Sequence, residues 1–219
     1  MIEGETDPER LADLSGPTIT DLFPIAGSFI NSSVPEVRVK IVEDPFGTGV
    51  DTESVTFTID GAEAAPRFVD GFAAYRPQTI LADGVHRVVV SARDLAGNKG
   101  GTSWTFTVDT VGPKLCYSVK NRVINSSRPR AEVLVLPDEP VRYVVRVHPI
   151  VGGYPVYGTV LYESELPTVG AGQRRILWSG VGTVGNRVAA GDYIMRIIAY
   201  DRAGNSRAFR VNVKVEKSG

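Results

Sequence analysis

Asp94-Leu95-Ala96-Gly97-Asn98 and Asp201-Arg202-Ala203-Gly204-Asn205 are one pentapeptide written twice, 107 residues apart, with a single change at its second position. Gly84-x-His86 stands just before the first and Gly191-x-Tyr193 just before the second, at the same offset. Further upstream, Ile30-Asn31-Ser32-Ser33-x-Pro35 is answered by Ile124-Asn125-Ser126-Ser127-x-Pro129 at an offset of 94, and Gly16-Pro17 by Gly112-Pro113 at 96. The same landmarks in the same order make the chain two copies of one unit, the second longer by 13 residues placed somewhere in His148 to Gly172. The expected organisation is an acidic linker or tail at 1–15, a first domain at 16–109, a linker at 110–111 and a second domain at 112–215.

Within each copy the period is that of strands. Val37, Val39 and Ile41 alternate with Arg38, Lys40 and Val42, and Trp104, Phe106 and Val108 with Thr105, Thr107 and Asp109. The second copy answers with Ala131 to Leu136, Val141 to Val147, Tyr193 to Tyr200 and Phe209 to Val215. A helical pattern is confined to Asp7 to Leu14, where Asp7 and Pro8 would cap a short turn. Short strands punctuated by Gly, Pro, Asn and Asp predict an all-β chain of two tandem antiparallel sandwiches, immunoglobulin-like or fibronectin-III-like. In each pentapeptide the predicted turn is closed by Gly97 or Gly204 at positive φ, while Asp94 or Asp201 accepts nearby backbone N–H groups, and Asn98 and Asn205 are structural residues of the same hairpins. Tyr193, after Gly191, sits where a sandwich places a corner tyrosine, with His86 in its stead in the first copy.

The two pentapeptides, each between an apolar strand and a domain's last strand, resemble the penultimate hairpin of bacterial Ig-like repeats in large surface and secreted proteins. From Gln173 to Val215 the likeness narrows. Ile176-Leu177-Trp178-Ser179-Gly180, Gly185 and Val188 to Tyr193 resemble the Ig-like domain of the flagellar hook-capping protein, which also occurs at the ends of exported multidomain enzymes. That resemblance implies a fold family, with Trp178, Gly191 and Tyr193 as structural residues, rather than an activity.

Chemistry-bearing residues are sparse. One cysteine, Cys116, leaves no internal disulfide, and two histidines, His86 and His148, leave little for a metalloenzyme. Cys116 reads as a small buried hydrophobe. No G-x-S-x-G is present, no acid flanks either histidine at a suggestive spacing, and no run approaches 18 apolar residues, so neither a catalytic site nor a membrane span is expected. The acidic start is the reverse of a signal peptide, so an exported protein would carry its signal outside this chain.

Two ligand classes remain. At the head of the second sandwich Asp109, Asp138, Glu139 and Asp201 would converge, and calcium is the cation such oxygens take; Asp44, Asp51, Glu53 and Asp94 are the counterpart in the first. In the inserted stretch Tyr154, Tyr157 and Tyr162 would offer faces on which sugar rings stack, if they do not instead pack on the sheet. Asn31-Ser32-Ser33 and Asn125-Ser126-Ser127 match a glycosylation sequon and read first as turns. The expected function is a non-catalytic structural or adhesive spacer of a larger extracellular or cell-surface protein. A carbohydrate-binding accessory module and a flagellar or filament scaffold are the alternatives.

The net charge of −1 hides an asymmetry. Residues 1–109 carry −9 and residues 112–215 carry +8, with twelve arginines among the fifteen basic residues of the second domain. The expected partners are therefore neighbouring domains and either an anionic envelope polymer or the acidic half of a second copy, with nucleic acid disfavoured.

Overall fold

The computed structural model describes residues 13–43 and 45–217. The short turn expected at Asp7 to Leu14 lies largely outside the described residues, as does Asp44. The chain divides into two compact units, Met1–Thr110 and Val111–Gly219.

Among the described residues the first unit has nine strands: β1 (Thr18–Phe23), β2 (Phe29–Ile30), β3 (Val37–Val42), β4 (Val50–Ile59), β5 (Ala62–Ala64), β6 (Arg67–Val69), β7 (Phe72–Tyr75), β8 (Gly84–Asp94) and β9 (Lys99–Val108). They form two sheets, β1-β3-β7-β6 and β2-β9-β8-β4-β5. Every pairing is antiparallel except β2 with β9, which is parallel. The first strand is thus divided between the sheets, its opening half on β3 and its closing half on β9. Alternation decides what lies between the sheets: Val37, Val39 and Ile41 of β3, Val88 and Val90 of β8 and Trp104, Phe106 and Val108 of β9 are buried in one core.

The second unit repeats the plan with β10 (Leu115–Asn121), β11 (Val123–Ile124), β12 (Ala131–Pro137), β13 (Val141–Val151), β14 (Tyr154–Pro155), β15 (Tyr162–Val169), β16 (Arg174–Trp178), β17 (Gly191–Tyr200) and β18 (Ser206–Val215). One sheet is β10-β12-β16. The other runs β11-β18-β17-β13, with β14 and β15 both pairing with β13. Its own core gathers Val133 and Val135, Tyr143, Val145 and Val147, Ile176, Trp178, Tyr193, Met195 and Ile197. The all-β tandem sandwich expected from period and repeat is the architecture found.

The repeated Ile-Asn-Ser-Ser-x-Pro segment begins where the divided first strand ends, at β2 and β11. Asn125 works there as a turn residue. Its Oδ1 accepts the Arg128 N–H at 2.8 Å and its Nδ2 donates to Glu216 at 2.9 Å. Cys116 departs from expectation: it is exposed. Its ladder partner Leu136 is half exposed too, so β10 and β12 turn this alternate set of residues outward, one position out of phase with the buried Val133 and Val135.

Candidate functional site

The two pentapeptides are built alike to within a few tenths of an ångström. Asp94 N–H donates to Asn98 O at 3.0 Å, and Asp201 N–H to Asn205 O at 3.1 Å. The Asp94 carboxylate takes the Asn98 N–H on Oδ1 at 2.8 Å and the Asn98 amide on Oδ2 at 2.7 Å. Asp201 holds Asn205 the same way at 2.8 and 3.0 Å. Gly97 and Gly204 sit at φ 93° and 90°, where any residue with a Cβ is strained. Both carboxylates are buried, an environment that tolerates a charge only when it is hydrogen-bonded.

Around Asp94 the first unit gathers a carboxylate cluster: oxygens of Asp13, Glu43 and Asp94 lie within 4.8 Å of one another. Asp13 accepts the Ser15 N–H, the Thr48 N–H and the Thr48 hydroxyl, and the Thr48 amide above all holds its carboxyl below the ordinary value. Asn98 Nδ2 also reaches Asp13 O at 2.8 Å. In the second unit, oxygens of Glu139 and Asp201 lie within 4.8 Å of each other. Asp138 is not with them: its Oδ1 accepts the Lys114 N–H at 2.9 Å. Asp109 belongs to the first unit, closing it with an N–H to Ile30 O at 2.9 Å. Sequence reasoning chose Asp51 and Glu53 for the first cluster and missed Asp13 and Glu43. The 96-residue offset of Gly16-Pro17, applied to Asp109 and Glu139, points to those two positions.

The corner is present in both units. Tyr193 O–H donates to Ala189 O at 2.6 Å, and in the first unit His86 Nε2 reaches Ala82 O, also four residues upstream, at 2.7 Å. His86 Nδ1 meets Asp60 Oδ2 at 2.6 Å, so both ring nitrogens face acceptors, an arrangement that favours the protonated ring. Burial opposes that charge, but the bonds to Asp60 and Ala82 outweigh it and the His86 pKa is raised.

The inserted stretch lengthens β13 and folds back as the β14 hairpin. It does not bring the three tyrosines into one face. Tyr154 is 78% exposed, Tyr162 packs on the core, and Tyr157 meets the buried His148 edge-on at 5.2 Å while the Arg210 guanidinium lies 5.3 Å from its ring. Beside it, Arg146, Arg196 and Arg210 are successive partners across β13, β17 and β18. Arg146 also pairs with Glu163 at 2.9 Å, a bond that holds the Glu163 carboxyl below its ordinary value. The tally of arginines was visible in the sequence, but their alignment depends on register, which was not.

The larger clefts of the second unit are open grooves. One of about 420 Å³ is lined by Arg122, Ile150, Asp192 and Lys214, and one of about 520 Å³ by Leu115, Cys116, Leu136 and Pro137. Neither is lined by a histidine; the second also carries Lys114 and Asp138 beside Cys116, and there Asp138 Oδ1 is spent on the Lys114 N–H.

Comparison with known proteins agrees with this architecture. The family described as bacterial Ig-like domain is matched over residues 46–110. No curated protein sequence matches the chain. Among solved structures, the fibronectin(III)-like modules of Clostridium thermocellum CbhA are similar with a TM-score of 0.56 at 13% identity, over 91% of this chain and 94% of that one. Dimeric latent PorU of Porphyromonas gingivalis aligns over 93% of this chain with a TM-score of 0.38 at 15% identity, and the chain spans 20% of its length. A tetra-tandem repeat from the extending region of a large adhesion protein aligns over 92% of this chain and 50% of its own, with a TM-score of 0.37 at 19% identity. The chain is a tandem pair of Ig-like β-sandwiches, with the bacterial Ig-like match falling in the first.

Proposed function

We propose that the chain is a non-catalytic spacer segment of a larger exported protein, displayed outside the cell, that sets the distance between the parts on either side of it. The observation that carries this reading is how little chain is left over between the two cores. Thr110 is fastened to the first unit, its N–H and hydroxyl both donating to Asp83 Oδ1 at 3.0 and 2.9 Å. From Lys114, whose N–H donates to Asp138, the chain is fastened to the second. Two self-contained sandwiches with so short a connection suit a load-bearing or distance-setting part, and neither groove described above is lined by a histidine. Small-angle scattering tests the reading. One narrow distribution of interdomain distances is expected, and a broad one, as two beads on a slack string give, defeats it.

Calcium belongs to the same reading, as a clamp on the head of the first unit. Asp13, Glu43 and Asp94 offer three of the six to eight oxygens that calcium takes. Asp13 and Asp94 already accept N–H groups, so a cation would share their oxygens through the remaining lone pairs. The first unit should melt several degrees higher in millimolar calcium than in EDTA, by linkage of binding to folding. An unchanged melting temperature removes calcium and leaves the spacer intact.

A further inference from the structure

The second unit carries an arginine row that its fold does not require. Arg146, Arg196 and Arg210 face each other directly across three neighbouring strands, while the residues flanking them on each strand, Val145 and Val147, Met195 and Ile197, Phe209 and Val211, point into or pack on the core. All three therefore project from the outer face, about 5 Å apart from strand to strand. Like charges placed directly opposite in a sheet destabilise it. Glu163 offsets one of the three, Arg146. Arg196, in the middle, has no ion pair among the described residues, and Arg210 lies over Tyr157 instead. On the same face, four residues before Arg146, Arg142 lies over the Tyr200 ring at 4.2 Å.

The first unit supplies an internal control. Its equivalent ladder positions are Thr58, Val89 and Ser103, paired in the same way and uncharged. The architecture thus closes with no charge at these positions, and the arginines answer to something outside the sheet. Val144 and Ile198 flank the row and are buried although outside the core, so neighbouring side chains cover the apolar part of this face.

We propose that this face of the second unit, centred on Arg196, binds an extended polyanion whose phosphate or carboxylate groups repeat at roughly the spacing of neighbouring strands. Guanidinium forks donate bidentately to either oxyanion, and a row of them matches a linear chain better than a single anion. The −9 of residues 1–109 makes the acidic unit of a second copy the competing occupant. The row favours the polymer, because its charges are in line and the partner must supply charges in line. This inference is independent of the spacer reading and survives its failure.

The test uses the full chain with end-labelled inorganic polyphosphate and poly-glutamate as probes, inorganic phosphate alone as control, and sedimentation in parallel. Binding of at least one polymer is expected, with a slope of log affinity against log salt of about −2 to −3, and no saturable binding of phosphate alone. Arg196→Gln should weaken binding about tenfold and reduce the slope by about 1, while Arg175→Gln, the same charge loss on the opposite sheet, should change affinity less than about twofold. Which polymer binds more tightly identifies the oxyanion. Equal losses for the two variants would mean that net charge, not the row, binds, and would overturn the proposal, as would failure of both polymers to bind. Salt-sensitive self-association abolished by Arg196→Gln, without polymer binding, would hand the face to a second copy and overturn it as well.

Discussion

Asp201→Ala should lower the stability of the second unit by about 2–4 kcal/mol, read by urea or thermal unfolding, and Asp94→Ala should do at least as much to the first. The size follows from what each carboxylate holds. Asp201 is buried and accepts both the N–H and the side-chain amide of Asn205, and each hydrogen bond to a charged group contributes about 1.5–3 kcal/mol. Alanine removes that acceptor in a buried site that water reaches poorly, so part of the cost is desolvation. In the first unit the loss spreads, because Asn98, freed from Asp94, is also the residue whose Nδ2 holds Asp13 O. Asn98→Ala should therefore lose part of the same energy, and the double variant should be far from additive. Gly204→Val and Gly97→Val act by another route and should cost about 1 kcal/mol or more. A Cβ built on Gly97 meets nothing within 4 Å, so the whole penalty there is backbone strain at φ 93°. Native stability in the aspartate variants would mean that the hairpins are held by their ladders alone.

These pentapeptides were legible because the bonds that close each hairpin are local. A five-residue hairpin with its own acceptor, glycine and amide is specified by sequence alone, and its recurrence fixed the domain count. The corner was legible for the same reason, since Tyr193 reaches only four residues back. What was not legible is whatever needs register between distant strands. Asp60 lies 26 residues from His86 and on another strand's turn, so its bond to the ring could not be read from spacing. Asp13 meets Glu43 and Asp94 only after the sheet has closed. Arg146, Arg196 and Arg210 are 50 and 14 residues apart, and no periodicity along one strand announces a row that runs across three. Cys116, expected buried, is exposed because alternation on an edge strand turns one of any adjacent pair outward, and residue type alone does not say which.

Trp178→Ala should be the most damaging single change, costing the second unit about 3–5 kcal/mol. The indole is among the largest fully buried side chains, stands edge-on to the Tyr193 ring at 5.5 Å, and donates from Nε1 to Val181 O at 2.9 Å. Its ladder partner is Ala131, so the sheet has set its smallest core side chain beside its largest and has nothing there with which to refill the void. Collapse is further resisted at Gly180, whose positive φ turns the chain with Ile124 and Val215 already within 4 Å of where a Cβ would sit. Trp178→Phe should cost clearly less, keeping the ring on Tyr193 while leaving Val181 O without its donor. Because the cores of the two units share no residue, calorimetry of Trp178→Ala should show the second unit's transition moved down and the first unit's unmoved. If both transitions fell together, the units would fold as one cooperative body, and every variant argued above would have to be reassigned from a single sandwich to the pair.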